Sequence, residues 1–361
     1  MKRGENIRKR KDGRWEGRYP GKDGKTHSVY GRSYREAKEK LNGCRMESKS
    51  AQPEKRMAGI SFQSLCQAWL EVKSLKLKPS SYAAYYTIVY NHLIPFWQNK
   101  SIYQIDFPRE AKQLVQTKKM QNLSSRRVQE ILSRLKQILK FASKHYALPV
   151  IELDLEILPY CQKEVQVLCE EEQQKITESL MIRQDRRKLG VFLSLYLGLR
   201  IGEVCALKWG DIDFDAQTLQ INKTMQRVKN LNPNEPCKTK IIIGTPKSIK
   251  SRRCLPLPFF LFTMLKTYQG RPDAFLLTGT NRFVEPRQYE NIFKTYLQEL
   301  SIRPVNYHAL RHTFATRAVE KGIDIKTLSE LLGHSSVSIT LQLYVHPSIQ
   351  EKARSIEKIA G

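Results

Sequence analysis

Three regimes of apolar spacing follow one another along the chain. Over the first 45 or so residues, short segments rich in Val, Ile, Tyr and Trp are broken by Asp12-Gly13 and Asp23-Gly24. An Asp-Gly pair between such segments is a strong hairpin signal, because both residues tolerate the positive φ of a tight type I′ turn. The spacing predicts strands over Ile7–Arg10, Arg14–Tyr19 and Thr26–Gly31, then a helix over Tyr34–Glu47. A polar, aperiodic stretch with Pro53 and Gly59 follows and reads as a linker.

Beyond it the period lengthens to that of a helix. Ser61 stands as an N-cap before Phe62, Leu65, Cys66, Trp69 and Val72, and a second helix begins after Pro79 with Tyr82, Tyr85, Tyr86, Val89 and Leu93. A third, Ser124–Tyr146, aligns Val128, Ile131, Leu132, Leu135, Ile138 and Leu139 on one face, with Arg126, Arg127, Arg134, Lys136 and Lys140 opposite. A second connector, Leu148–Val167, carries Pro149 and Pro159. The remaining chain is mixed: helices including Asp185–Leu197, strands at Thr218–Asn222, Ile241–Thr245 and Arg253–Leu257, then helices to the end. The expected organisation is multidomain and mainly α with small β-sheets: a three-stranded β domain over 1–50, a linker 51–60, a helical bundle over 61–150, a linker 151–168, and an α+β domain over 169–361. There is no internal repeat.

Charge narrows the class of partner. The 361 residues hold 62 Lys and Arg against 35 Asp and Glu, so the formal net charge is 62 − 35 = +27. Such an excess calls for a polyanion. A membrane surface is excluded as the reading because the longest apolar run, Leu189–Leu199, falls far short of the roughly 20 residues of a spanning helix. Met1–Gly13 is charged and lacks the apolar stretch of a secretory signal, so a cytoplasmic location is expected. Cys44, Cys66, Cys161, Cys169, Cys205, Cys237 and Cys254 form no C-x-x-C pair and are odd in number, which predicts reduced, mostly packed thiols. In the N-terminal sheet, Arg8, Lys9, Arg10, Arg14 and Arg18 suit a β-ribbon laid in a DNA groove, and Arg126 and Arg127 are further candidate DNA contacts.

The candidate chemistry lies in the last region. Arg200 follows Gly198-Leu199 at a helix junction, where its planar fork can enter a cleft. Far along the chain come His308-Ala309-Leu310-Arg311-His312, then Leu332-Gly333-His334, then Tyr344-Val345-His346. The i, i+3 spacing of His308 and Arg311 predicts one shared helical face. Gly333 predicts a helix stop, with His334 on the turn beyond it. Histidines, two arginines, a lysine and a tyrosine without a carboxylate cluster form a site for a phosphate. Metal-dependent nucleases need several carboxylates to hold Mg²⁺, so the predicted reaction is phosphoryl transfer without a metal or other cofactor.

These residues resemble the conserved boxes of the tyrosine recombinases, or phage integrases. The run Gly198-Leu199-Arg200-Ile201-Gly202-Glu203 with Leu207-Lys208-Trp209-Gly210-Asp211-Ile212 resembles the first box, while His308-x-x-Arg311-His312-Thr313-Phe314-Ala315-Thr316, Leu332-Gly333-His334 and Tyr344-x-His346 resemble the second. Thr245-Pro246-Lys247-Ser248, with Ser251-Arg252 and Leu255-Pro256-Leu257, is similar to the hairpin that delivers the family's catalytic lysine, although Lys238, Lys240 and Lys250 compete with Lys247 for that place. The resemblance implies a site-specific integrase acting through a 3′-phosphotyrosyl link at Tyr344, independent of metal and ATP. It implies that Arg200 and Arg311 clamp the phosphate, His308 exchanges a proton with the Tyr344 hydroxyl, His334 bonds the phosphate and Lys247 protonates the leaving oxygen. Glu203 reads as a support that orients its neighbours.

The resemblance also implies arm-binding and core-binding roles for the first two domains. The partners it implies are double-stranded DNA attachment sites, a homotetrameric synaptic complex, an excisionase and a host DNA-bending protein. The tail Pro347–Gly361 docks either on its own domain or on a neighbouring subunit. A type IB topoisomerase and a non-catalytic DNA-binding regulator on the same scaffold are the rival readings.

Overall fold

The computed structural model of the chain describes residues 7–10, 12–20, 26–44, 59–155, 165–182, 185–232, 234–246 and 248–344. The Asp23-Gly24 turn, Lys247 and the tail after Tyr344 lie outside them. The chain divides into two compact units, Met1–Cys161 and Gln162–Gly361.

In the first unit, strands β1 (Ile7–Lys9), β2 (Trp15–Pro20) and β3 (Thr26–Gly31) form an antiparallel sheet in that order, followed by helix α1 over residues 34–44. The register pairs Arg8 with Glu16 and Glu16 with Tyr30. Strand alternation gives the sheet two unlike faces. One carries Trp15, Gly17 and Val29, and a Cβ on Gly17 would sit 3.3 Å from Leu41 of α1. The other carries the arginines.

The bundle of the same unit contains α2 (Phe62–Ser74), α3 (Pro79–Ile88), α4 (Ile94–Trp97), α5 (Phe107–Met120) and α6 (Ser125–Tyr146). Ser61, Asp106 and Ser124 cap α2, α5 and α6 through their side chains. The core gathers Phe62, Trp97 and Phe107, with ring centroids 4.8 to 6.0 Å apart. Val72, expected on the buried face of α2, is 42% exposed because the helix ends at Ser74. The helix expected after Pro79 is interrupted by a π-helical turn at Val89–Leu93. Pro95, just beyond, has no N–H to return to the preceding turn, and the widened turn absorbs that loss.

The second unit opens with α7 (Glu170–Ile182) and α8 (Leu189–Leu197); α8 is buried along almost its whole length and lies against the helix His308–Glu320. After α9 (Ile201–Ala206) come β4 (Ile212–Asp213), β5 (Thr218–Ile221), β6 (Thr224–Lys229), β7 (Thr239–Gly244) and β8 (Arg253–Pro256). The strands do not pair in simple succession: one sheet has the order β4-β5-β8, and β6 and β7 form a separate hairpin that takes in the long Gln226–Lys240 segment. Helices α10 (Phe259–Thr267), α11 (Pro286–Glu299), α12 (His308–Glu320), α13 (Ile325–Leu332) and α14 (Val337–Tyr344) complete the unit. Ser194 on α8 is bonded to the Tyr307 hydroxyl at 2.8 Å, so this wholly buried polar pair is satisfied.

Among the described residues no helix is long and apolar enough to cross a membrane. The described cysteines are free, but only Cys66 and Cys205 are buried, while Cys169, Cys237 and Cys254 are exposed. The expectation of mostly packed thiols is corrected to that extent.

Candidate active site

Helix α8 ends on Gly198 at φ +67°, a left-handed conformation in which a Cβ would also strike the Phe314 ring at 2.7 Å. The chain then turns so that Arg200 caps α9. Its backbone N–H donates to Glu203 Oε2 at 3.0 Å and its Nη1 to Oε1 at 2.8 Å. Glu203 is 2% exposed and also accepts from Arg253, Nη2 at 2.9 Å and Nη1 at 3.1 Å. Burial alone would raise this carboxyl. The charges and hydrogen bonds of Arg253 and then Arg200 override it and hold the pKa at about 2.

Arg253 Nε reaches the Leu331 carbonyl at 2.7 Å, tying β8 to the end of α13. Nothing in the local sequence marks Arg253, since its partners lie 50 and 78 positions away.

Arg311 is 1% exposed. Its Nη1 donates to the Gly198 carbonyl at 2.6 Å and its Nη2 to the Leu332 carbonyl at 2.7 Å, at the C-terminal ends of α8 and α13. Helix C-termini are where a cation is favoured. Burial and the neighbouring Arg200 push its pKa down to about 9, so it stays charged at neutral pH. Three guanidinium groups around one carboxylate leave the cluster formally at +2, a site in want of an anion.

Gly333, at φ +64°, ends α13 and offers its carbonyl to Arg200 Nη2 and Ser251 Oγ, each at 3.3 Å. His334 follows on the turn, its Nδ1 2.8 Å from Thr340 Oγ1. Burial, then Arg311 and Arg200, lower its pKa to about 3, so the ring is neutral at neutral pH.

Tyr344 sits at the end of α14, 8% exposed. Burial raises its phenol above the ordinary value, while Arg311 and Arg200 pull it down. Its hydroxyl lies 2.6 Å from Nδ1 of His312, not of His308. His308, the residue expected to exchange a proton with this hydroxyl, starts α12 at an exposed position, with its ring edge-on to His312 at 4.7 Å between centroids. Nor do His308 and Arg311 share one environment. Arg311 turns inward to the two helix ends and His308 stays at the rim. Crowding by protein atoms, then His312 and Arg311, keeps His308 below the ordinary histidine value. His312 is half-buried, and burial and Arg311 push it down to about 4. Lys238, Lys240 and Lys250 are exposed.

In the first unit, Glu16 is 2% exposed beneath the basic face of the sheet. It accepts from Arg8 Nε at 2.8 Å, Ser28 Oγ at 2.9 Å and Arg18 Nε at 3.1 Å, with Arg10 at 3.9 Å. Arg10 and Arg14 lie over the Tyr30 ring at 5.6 and 5.8 Å. Lys9 pairs with Trp15 in the register and so belongs to the opposite face. On α6, Arg127 pairs with Glu130 at 2.9 Å and Arg126 with the same carboxylate at 3.8 Å. Arg134 covers the Tyr85 ring at 4.0 Å.

Residues 166–351 match the phage integrase family, and residues 61–119 match the phage integrase N-terminal SAM-like domain. The chain belongs to the phage integrase family. Its relatives include a tyrosine recombinase XerC-like protein of Caldanaerobacter subterraneus, 33% identical over 55% of this chain and 54% of that protein. Tyrosine recombinase XerA of Thermococcus onnurineus is 34% identical over 53% and 63%. The chain thus spans between about half and under two thirds of the length of these two relatives. The ICEBs1 integrase of Bacillus subtilis is 24% identical over 81% of this chain and 80% of its own length. In fold, this family member is similar to the Tn1549 transposon integrase in complex with a circular intermediate DNA, with a TM-score of 0.66 and 19% identity over 81% of this chain and 99% of that one. A lambda integrase dimer bound to a COC′ core site gives 0.58 and 16% over 95% and 97%.

Proposed function

We propose that the chain is a site-specific DNA recombinase, an integrase that inserts and excises a mobile element by breaking and rejoining DNA strands through Tyr344. The observation that carries this reading is a buried tyrosine hydroxyl within the electrostatic reach of Arg311 and Arg200, in a cluster short of negative charge.

A phenol at its ordinary pKa is about a thousandth ionised at pH 7, so attack depends on the cations. Arg200 and Arg311 clamp the non-bridging oxygens of the scissile phosphate, where a full charge at 4 Å contributes about 4 kcal/mol at an effective dielectric of 20. The Tyr344 oxygen forms a bond to phosphorus as the bond to the 5′ oxygen breaks. The phenol proton passes by way of His308 at the rim to solvent water, and Lys247 supplies one to the departing oxygen. With Nδ1 of His334 engaged by Thr340, its Nε2 is the nitrogen that bonds the phosphate. His308 is a neutral hydrogen-bonding group at the rim. The phosphotyrosine retains the energy of the broken phosphodiester, so attack by the 5′ hydroxyl of the new partner rejoins the strand without ATP.

In this reading residues 169–361 are catalytic, 61–150 grip the core site through a basic surface that includes Arg126 and Arg127, and 1–50 bind arm sites. Arg8, Arg10, Arg14 and Arg18 form the groove-facing surface, and Lys9 contacts backbone from the other side. The partners are two double-stranded attachment sites, brought together in a homotetramer in the cytoplasm with an excisionase and a host DNA-bending protein.

The test is incubation in EDTA with a duplex spanning the element's ends and nicked near the crossover. Wild type is expected to give an SDS-resistant protein–DNA adduct and Tyr344→Phe none. Tight binding without an adduct in wild type favours the non-catalytic regulator, relaxation of supercoils without site preference favours the topoisomerase, and an adduct in the variant means another nucleophile.

A further inference from the structure

We propose that His312 is a positioning residue for the nucleophile: its Nδ1 accepts a hydrogen bond from the Tyr344 hydroxyl and fixes where the phenol oxygen meets the phosphate, without taking the proton. The inference rests on the reading of Tyr344 as nucleophile and deepens it.

The contact is short, 2.6 Å, and joins α12 to the end of α14 across 32 positions of sequence. A tyrosine only 8% exposed needs a partner for its hydroxyl, and His312 is the one bonded to it here. The bond has a direction. The imidazole, beside the Arg311 cation and half-buried, is neutral at pH 7 and so has one ring nitrogen free to accept. The phenol is the donor.

The ring is in turn well held. His308 meets it edge-on at 4.7 Å, and the adjacent residue in the chain is Arg311, anchored on the carbonyls of Gly198 and Leu332. One peptide unit therefore connects the clamp for the phosphate to the group that orients the attacking oxygen. Displacing a reacting atom by about 1 Å costs on the order of a hundredfold in rate, so such a short rigid connection has kinetic consequence.

A role as general base is the competing chemistry. Burial holds the phenol above its ordinary value while burial and Arg311 hold the imidazole down at about 4, so transfer of the proton to the ring is strongly disfavoured in the free protein. That gap separates a hydrogen-bond acceptor from a proton acceptor.

Two variants separate these roles. His312→Asn keeps an acceptor, Oδ1, close to the place of Nδ1 but cannot hold a proton, and His312→Leu keeps bulk without an acceptor. Single-turnover adduct formation on the nicked duplex would be measured from pH 5 to 9 with the full-length protein, alongside DNA affinity and thermal unfolding. The expected result is that His312→Asn cleaves within about tenfold of wild type with a superimposable pH profile. His312→Leu should lose about a hundredfold in cleavage with unchanged DNA affinity.

If His312→Asn is as inactive as His312→Leu while folded, or loses a limb of the pH profile, the ring takes the proton and the inference is overturned. Wild-type cleavage by His312→Leu would overturn it too. Should His312→Leu fail to fold, the His312→Asn rate and profile still decide. Absence of an adduct in wild type would instead defeat the underlying reading of Tyr344.

Discussion

Replacing Glu203 by Gln tests whether its ionised carboxylate is what holds the cationic cluster together. The side chain is 2% exposed and faces Arg253, itself only 6% exposed, as well as Arg200. Its folded pKa of about 2 lies below the ordinary 4.5. At about 1.36 kcal/mol for each tenfold change in proton affinity, that interval corresponds to about 3 kcal/mol of stability. The figure agrees with the roughly 3–5 kcal/mol lost when one partner of a buried ion pair is removed. Because the folded value is the depressed one, the contribution is complete above about pH 4.5 and disappears as the pH falls toward 2.

The gap between wild type and Glu203→Gln should therefore be about 3 kcal/mol at pH 7 and about 2 kcal/mol at pH 3.5. Urea unfolding followed by near-ultraviolet circular dichroism measures it. For a unit of about 200 residues the neutral-pH loss corresponds to a fall of roughly 6–12 °C in melting temperature. A gap below 1 kcal/mol at pH 7, or one equal at both pH values, would refute the argument, since the charge would then not be the source.

Two further outcomes follow from the same geometry. His312 and His334 have folded pKa values of about 4 and about 3, below the ordinary 6.5, so the unfolded chain binds their protons more readily. Stability should rise with pH between about 4 and 6.5 and level off above, and His334→Asn should flatten that rise in urea midpoints. Gly333→Ala places a Cβ at φ +64° and 3.2 Å from both Arg253 Cδ and Ser251 Cα. It should cost about 1–2 kcal/mol in urea unfolding and reduce adduct formation more than DNA binding, because the shift falls on the carbonyl that anchors Arg200.

The sequence by itself determined what closes over three or four residues. The Ser61 and Ser124 hydroxyls accept from backbone N–H groups three positions ahead, and Gly333 turns the chain directly after α13. The periodicity that buries Leu65 and Trp69, or Val128 and Leu135, is also local. The resemblance of its motifs to the family's conserved boxes marked Arg200, Arg311, His334 and Tyr344 as candidates for the site.

Only the tertiary structure decided who touches whom. The tyrosine is bonded to His312 and not His308, Arg253 completes the carboxylate cluster, Arg311 is buried between two helix ends 113 and 21 positions away, and β5 pairs with β8 past an intervening hairpin. His308 and Arg311, three positions apart on α12, differ in fate because the roughly 60° between them about the helix axis separates a rim position from a buried one. The partners that fix those positions come from α8, α13 and α14. Closing such long loops costs chain entropy that is offset only when the whole core forms, so no short stretch of sequence carries the signal.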